Sequence, residues 1–125
     1  MKNQEHQEQV KLIQYLTLLE KQKKIVTFYA VINENSVKNP RYGAKLKAQG
    51  KRAGVSDVVV LLKDCTLYIE MKRPRKKLKS GKLSNENLAS KEQLDFIGKL
   101  ENTTYAYGKV CYGFLEANKY IDTFL

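Results

Sequence analysis

The chain is short of the residues from which most metal and nucleophilic centres are built. Its 125 residues include one histidine, His6, and two cysteines, Cys65 and Cys111. With its single histidine in the polar stretch MKNQEHQEQ, a histidine triad is disfavoured. The cysteines stand apart with no CxxC spacing, so neither a zinc site nor a structural disulfide is indicated. No apolar run approaches the roughly 20 residues that span a bilayer. The N-terminus lacks an apolar signal-peptide core. There is no Gly-rich phosphate loop of the GxxxxGKS kind and no internal repeat. The expectation is a soluble intracellular chain with no membrane partner. At this length, with 42% hydrophobic residues, residues 1–125 make one domain with a real core.

Acidic residues are also scarce relative to basic ones. The formal net charge is +10 and the pI about 9.6, which implies an anionic partner. The bases cluster. Residues 38–52 hold Lys38, Arg41, Lys45, Lys47, Lys51 and Arg52 with no acid among them. Residues 72–82 hold Lys72, Arg73, Arg75, Lys76, Lys77, Lys79 and Lys82, again with none. One such cluster is as well explained by a solvated surface. Two of them flanking a pair of isolated carboxylates favour phosphate binding.

The hydrophobic pattern predicts a helix over 5–22, with Val10, Leu12, Ile13, Leu16 and Leu19 on one face and Glu8 at its edge. IVTFYAVI (25–32) has strand composition. Residues 33–40 read as a loop, and 41–49 as a short basic helix ended by Gly50. Val55–Leu62 and Thr66–Arg73 form a hairpin, in which the unbroken apolar run 58–62 marks a central strand. RKKLKSGKLSNEN (75–87) reads as a mobile surface loop. Ser90-Lys91-Glu92-Gln93 has capping-box form and opens a helix to about Glu101. A strand within 104–115 and a helix over 116–124 complete an α/β chain, a central mixed sheet flanked by helices.

The hairpin carries the chemistry. Tyr68, Glu70 and Lys72 alternate onto one face of their strand. With a two-residue loop (Lys63-Asp64 or Asp64-Cys65), Asp57 faces Glu70 or Lys72 across the ladder. A three-residue loop sends it to the other face unless the strand entrance is irregular. Two close carboxylates repel unless compensated, by Lys72 alone in a structural ion pair, or by a divalent cation. The second case suits phosphoryl transfer, with Lys72 orienting water or neutralising charge that develops on phosphorus. Oxygen-only ligands suit Mg²⁺ or Mn²⁺ rather than zinc. Alone the motif is weak. Its basic surroundings favour a nuclease.

At this point the sequence resembles the PD-(D/E)xK nucleases, and among them the virus-type replication-repair nuclease (VRR-NUC) family in its small stand-alone phage form. EHQEQVKLIQYL is similar to that family's opening acidic helix. LKAQGKRAGVSDVVVL is similar to the approach to its Pro-Asp motif, YIEMKR to its Glu-x-Lys strand, SKEQLDFIGKL to its S-x-x-Q helix, and KVCYGFLEANKYIDTFL to its closing strand and helix. The resemblance implies a restriction-endonuclease-like fold. It also implies an Mg²⁺- or Mn²⁺-dependent endonuclease acting on DNA, with branched substrates such as Holliday junctions and a homodimer. Such a protein would work in the cytoplasm, that of the host cell if phage-encoded. By position, Asp57 and Glu70 match metal ligands, Lys72 the catalytic lysine and Gln93 the family's glutamine. An acid of the first helix completes the metal set, Glu8 in the first instance and Glu5, three residues earlier on nearly the same face, as the alternative. Arg41, Lys45, Lys51, Arg52, Arg73, Arg75, Lys76 and Lys77 are the expected nucleic-acid contacts. Position 56 departs from the pattern, with Ser where the family usually has Pro.

Simpler readings stand beside these. Gln93 could serve only as the partner of a Ser90 cap, and Glu8 as first-turn helix charge. The tyrosines could be packing residues rather than base-stacking platforms. A non-catalytic nucleic-acid-binding module would keep the basic surface without needing Asp57 or metal. An acidic protein partner would compete with DNA for that surface.

Overall fold

The computed structural model describes residues 3–32 and 39–125. The expected loop at 33–40 falls mostly on 33–38, and Lys38 with it, outside the described residues.

Helix α1 (Asn3–Lys21) buries Leu12, Leu16 and Leu19, at the three- and four-residue spacing that places side chains on one stripe. Val10, expected on that stripe, is 39% exposed. The helix ends because Lys23 takes a left-handed φ of 61°. The Lys23 and Lys24 amides then donate back to the Glu20 and Leu19 carbonyls, a Schellman closure.

The sheet has four strands in chain order, β1 (Thr27–Ala30), β2 (Val58–Leu61), β3 (Thr66–Lys72) and β4 (Ala106–Tyr112). The β1–β2 and β2–β3 pairs are antiparallel and β3–β4 is parallel. The expected central strand is β2, flanked on both sides and with Val58, Val59 and Val60 all buried. Val58, Val60, Leu67, Ile69 and Met71 pack with α1 and with α4 (Phe114–Asp122) in the main core. On the other face lies α3 (Lys91–Leu100), the crossover between the parallel strands. Phe96 meets the Tyr68 ring edge-on at 5.6 Å. Ile97 and Leu100 fill the space left by the missing side chain of Gly108.

Helix α2 (Pro40–Ala48) is capped by Asn39, whose side chain accepts from the Arg41 amide, and it buries none of its residues. Gly50 (φ +106°) follows its end, as expected of a left-handed cap.

The stretch 75–87 is more ordered than its composition suggested. The Ser84 amide donates to the Lys76 carbonyl, Leu78 to Lys82 and Gly81 to Leu78, and Lys77 bridges Leu83. Gly81 at φ +85° supplies the left-handed residue that a three-residue hairpin loop needs. The segment is a small hairpin rather than a loose loop.

Gly54 (φ +83°) joins the basic connection to β2 and lies against the first turn of α3. A Cβ there would overlap the Glu92 carbonyl and crowd the Gln93 amide. Gly54→Ala is expected to destabilise the protein by roughly 1–3 kcal/mol in chemical denaturation. An unchanged midpoint would show that this contact does not constrain the fold.

Candidate active site

The β2–β3 loop is Lys63-Asp64, closed by the Leu62 amide on the Cys65 carbonyl. It pairs Val58 with Ile69, which brings Asp57, one step earlier, opposite Glu70. Asp57 is fixed from two sides. Its Oδ2 accepts from the Met71 amide at 2.8 Å, and its carbonyl accepts from the Val31 amide at 2.7 Å. Ser56 before it is 1% exposed, and its hydroxyl has no partner among the described residues.

Glu70 is 2% exposed. Its Oε2 accepts from Gln93 Nε2 at 2.9 Å and lies 3.9 Å from Lys72 Nζ. Its Oε1 is buried with no donor among the described residues. Burial pushes the Glu70 carboxyl up first. The Asp57 carboxyl beside it pushes it further, against Lys72, to about 9. Since two ionised carboxylates have no proton to share, the pair calls for a proton or a cation between them.

Gln93 performs both roles that the sequence left open. Its Oε1 accepts from the Ser90 amide while Ser90 Oγ accepts from the Gln93 amide, a complete capping box. Its Nε2 is left to hold Glu70. Capping fixes the rotamer, and the rotamer aims the amide.

The first helix divides its acids differently from the expectation. Glu8 does not turn to the carboxylate pair. Its Oε1 accepts from the Phe114 amide at 2.8 Å, at the start of α4, and its Oε2 pairs with Lys11 at 3.3 Å. Gly113 (φ +99°) gives it room, since a Cβ there would lie 3.2 Å from Glu8 Oε1. Glu5 is exposed on the first turn, and it is the acid of this helix that feels the charges of the site. Burial raises its pKa, Lys72 lowers it, Asp57 raises it and Arg73 lowers it. Glu5 and Glu8 differ by about 60° around the helix, enough to send one to the sheet end and the other to α4.

The basic residues fall into separate groups. Arg41 and Lys45 are exposed on α2. Lys51 and Arg52, also exposed, line a cavity of about 270 Å³ that reaches Ser90 and Gln93. Lys76 and Lys77 are exposed on the small hairpin. Arg73 and Arg75 are instead engaged with protein at its base. Arg73 pairs with Glu86 at 3.1 Å and, with the Asn87 amide turned, bonds Asn87. Arg75 donates through Nε to the Ser84 carbonyl at 2.8 Å, reaches Asn85, and covers the Tyr112 ring at 5.6 Å. Glu86 and Asn87 were not singled out from the sequence, whereas Tyr112 is one of the tyrosines weighed there as packing or base-stacking residues. The one signal there was that Glu86 is the first acid after Glu70.

Among the described residues, no group of three or more His, Cys, Asp or Glu side chains stands close enough to hold a metal ion, so any cation here would rest on two carboxylates. The open arrangement still fits a hard cation. Mg²⁺ takes one or two carboxylates and completes its shell with water and phosphate, and Glu70 Oε1 is a buried oxygen without a donor. Asp57 and Glu70 would hold such an ion, with Glu5 beside them.

No protein-family profile and no curated protein matches the chain. A solved structure described as "VRR_NUC domain protein" superposes with a TM-score of 0.66, covering 98% of this chain and 88% of that one at 18% identity. The chain therefore has that α/β fold, a mixed four-stranded sheet flanked by helices.

Two outcomes follow from the geometry. The raised Glu70 pKa means that its contribution to stability is full below the ordinary value of 4.5 and is lost as pH rises toward about 9. In chelator at pH 8, Glu70→Gln should melt above the wild type, by about 3–5 °C for each kcal/mol relieved, and the gap should close near pH 4.5. A lower melting point at pH 8 would show that Glu70 is not under strain. Separately, Glu8→Gln keeps an acceptor for the Phe114 amide and should leave Mn²⁺ affinity within about threefold, while Glu5→Gln should weaken it about tenfold or more, by calorimetric titration. The reverse order would restore Glu8 as the ligand.

Proposed function

We propose that this protein is a metal-dependent phosphodiester hydrolase acting on DNA, using Mg²⁺ or Mn²⁺. The observation that carries the reading is the buried Glu70 carboxylate, set beside Asp57 with one oxygen lacking a donor and the Lys72 ammonium 3.9 Å from the other. A structural ion pair would satisfy the carboxylate. Here Lys72 and Gln93 both reach Oε2 and leave Oε1 without a partner, an oxygen that a proton or a cation would fill.

When bound, the cation would supply Lewis acidity toward a phosphate oxygen and lower the pKa of a water. The chain's own residues do the positioning. The Met71 amide holds Asp57 and the Gln93 amide holds Glu70, so neither carboxylate must reorganise during reaction. Lys72, on the same face of β3 as Glu70, offers its ammonium to a phosphoryl group and neutralises charge as it develops there. Gln93 acts through Glu70 and is a positioning residue. Glu5 is the candidate for a further oxygen donor.

The net charge of +10 suits a polyanionic substrate, and the likeness in fold to a VRR_NUC domain protein agrees with it. Selectivity for branched DNA and a homodimeric state are the finer parts of the proposal, carried by the sequence resemblance. A two-fold pair of small domains would present two cleavage centres to two duplex arms. A cytoplasmic location belongs to the same reading. Among the described residues no helix is long and apolar enough to cross a membrane.

The test is cleavage of linear duplex and four-way junction DNA with Mg²⁺, Mn²⁺ or chelator, using variants whose folding is verified by circular dichroism. Wild-type cleavage should require metal, and Asp57→Asn and Lys72→Ala should each lower it about 100-fold or more. Activity that survives both substitutions would remove the assigned centre. Salt-sensitive binding with no cleavage, indifferent to Asp57, would identify a binding module instead.

A further inference from the structure

The hairpin at 76–84 has features that backbone binding alone does not require. It starts four residues after Lys72, so it stands at the end of the strand that carries Glu70 and Lys72. Its base is clamped by Arg73 on Glu86 and Asn87, and by Arg75 between the Ser84 carbonyl and the Tyr112 ring. Ser84 at that base is buried. From Lys76 to the turn the hairpin extends about 10 Å at 3.3 Å per residue. Lys76, Lys77, Lys79 and Lys82 are all exposed, and none forms an ion pair with a described residue.

Two leucines share this charged element. Leu78 is 49% exposed and Leu83 50% exposed. The Lys77–Leu83 bridge places Leu83 beside Lys77 on one face, and alternation places Leu78 with Lys76 and Lys82 on the other. A clamped lysine hairpin that holds apolar groups out in water suits a ligand with phosphates outside and apolar faces inside. Nucleic acid with unstacked bases has that chemistry, and leucine is among the side chains that wedge between base steps.

We propose that the 76–84 hairpin is a strand-parting finger for branched DNA. Its lysines hold the phosphate backbones at the branch, and Leu78 and Leu83 cover the base faces that the branch exposes. The placement of the branch next to the cleavage centre rests on the nuclease reading above. Contact between finger and DNA does not.

The experiment uses the full chain with Asp57→Asn, so that DNA is bound but not cut. The DNA is a forked duplex with 2-aminopurine at the branch, beside a fully paired duplex of the same length. Lys77→Gln/Lys79→Gln/Lys82→Gln should weaken binding to both about tenfold or more at 0.15 M salt. It should also flatten the log–log salt slope by about two to three, near 0.9 for each phosphate no longer neutralised. Leu78→Ser/Leu83→Ser should bind paired duplex within about twofold of the parent, lose the preference for the fork, and abolish the rise in 2-aminopurine fluorescence. Leu78→Met/Leu83→Met should restore both. Melting curves confirm that each variant folds.

An unchanged salt slope in the lysine variant, or a fluorescence rise that survives the serine substitutions, would overturn the finger. So would a serine variant whose only defect is loss of self-association, which would mark an interface between copies. Finger-dependent DNA binding without metal-dependent cleavage by the wild type would remove the nuclease reading and leave the finger standing. Normal cleavage with finger-independent binding would do the opposite.

Discussion

The pairing of Asp57 with Glu70 across β2 and β3 is the constraint on which the site depends, and it is imposed by residues that take no part in chemistry. A one-residue slip would send Asp57 to the far face. It would also turn Val58 and Val60, buried against Leu67, Ile69 and Met71, out of the core. Each such side chain is worth about 1.5–3 kcal/mol when fully buried. Two like unit charges about 4 Å apart repel by on the order of 4 kcal/mol at an effective dielectric near 20. The apolar register outweighs the repulsion, so the carboxylates are held together against their own preference. That imbalance keeps Glu70 hungry for a proton or a cation.

Two helix starts then complete the centre. The first turn of α3 delivers Gln93, oriented by its own capping box. The first turns of α1 deliver Glu5, and Glu8 holds that helix in place by taking the first amide of α4. Gly113 at φ +99° both begins α4 and leaves room for Glu8, while its amide donates to the Lys72 carbonyl at 2.8 Å. One glycine thus ties together the helix that carries Glu5 and Glu8 and the strand that carries Lys72. Gly54 does the same on the opposite side, where it packs beneath the turn that holds Gln93.

Elements with a strong period were legible in the sequence. The central strand, the S-x-x-Q cap and the Gly50 stop follow from patterns a few residues long, whereas such patterns leave the length of the β2–β3 loop open. What was not legible depended on distant partners. Glu5 and Glu8 lie on nearly one face, and only the docking of α4 shows which of them is engaged elsewhere. Helix α4 begins at Phe114 rather than 116, because the left-handed Gly113, and not a polar side chain, opens it. The 75–87 stretch is polar enough to pass for a mobile loop, and its order comes from Glu86, Asn87 and Tyr112 gripping two arginines. Ser56 reads as a departure from a motif, yet it is one of the most buried polar residues of the chain.

The arginines and lysines after β3 have separate duties that net charge alone conceals. Arg73 and Arg75 use planar, multidentate guanidiniums to bind carboxylate, amide, carbonyl and ring at once, which a lysine could not do from one position. Lys76, Lys77, Lys79 and Lys82 carry compact ammoniums that remain in water. Inward arginines make the hairpin stiff, and outward lysines make it attractive to phosphate. Because ammonium contacts to phosphate carry no sequence information, such a surface would select its substrate by shape. A nuclease of the proposed kind, specialised for the geometry of DNA rather than for its bases, would need that division of labour beside its centre.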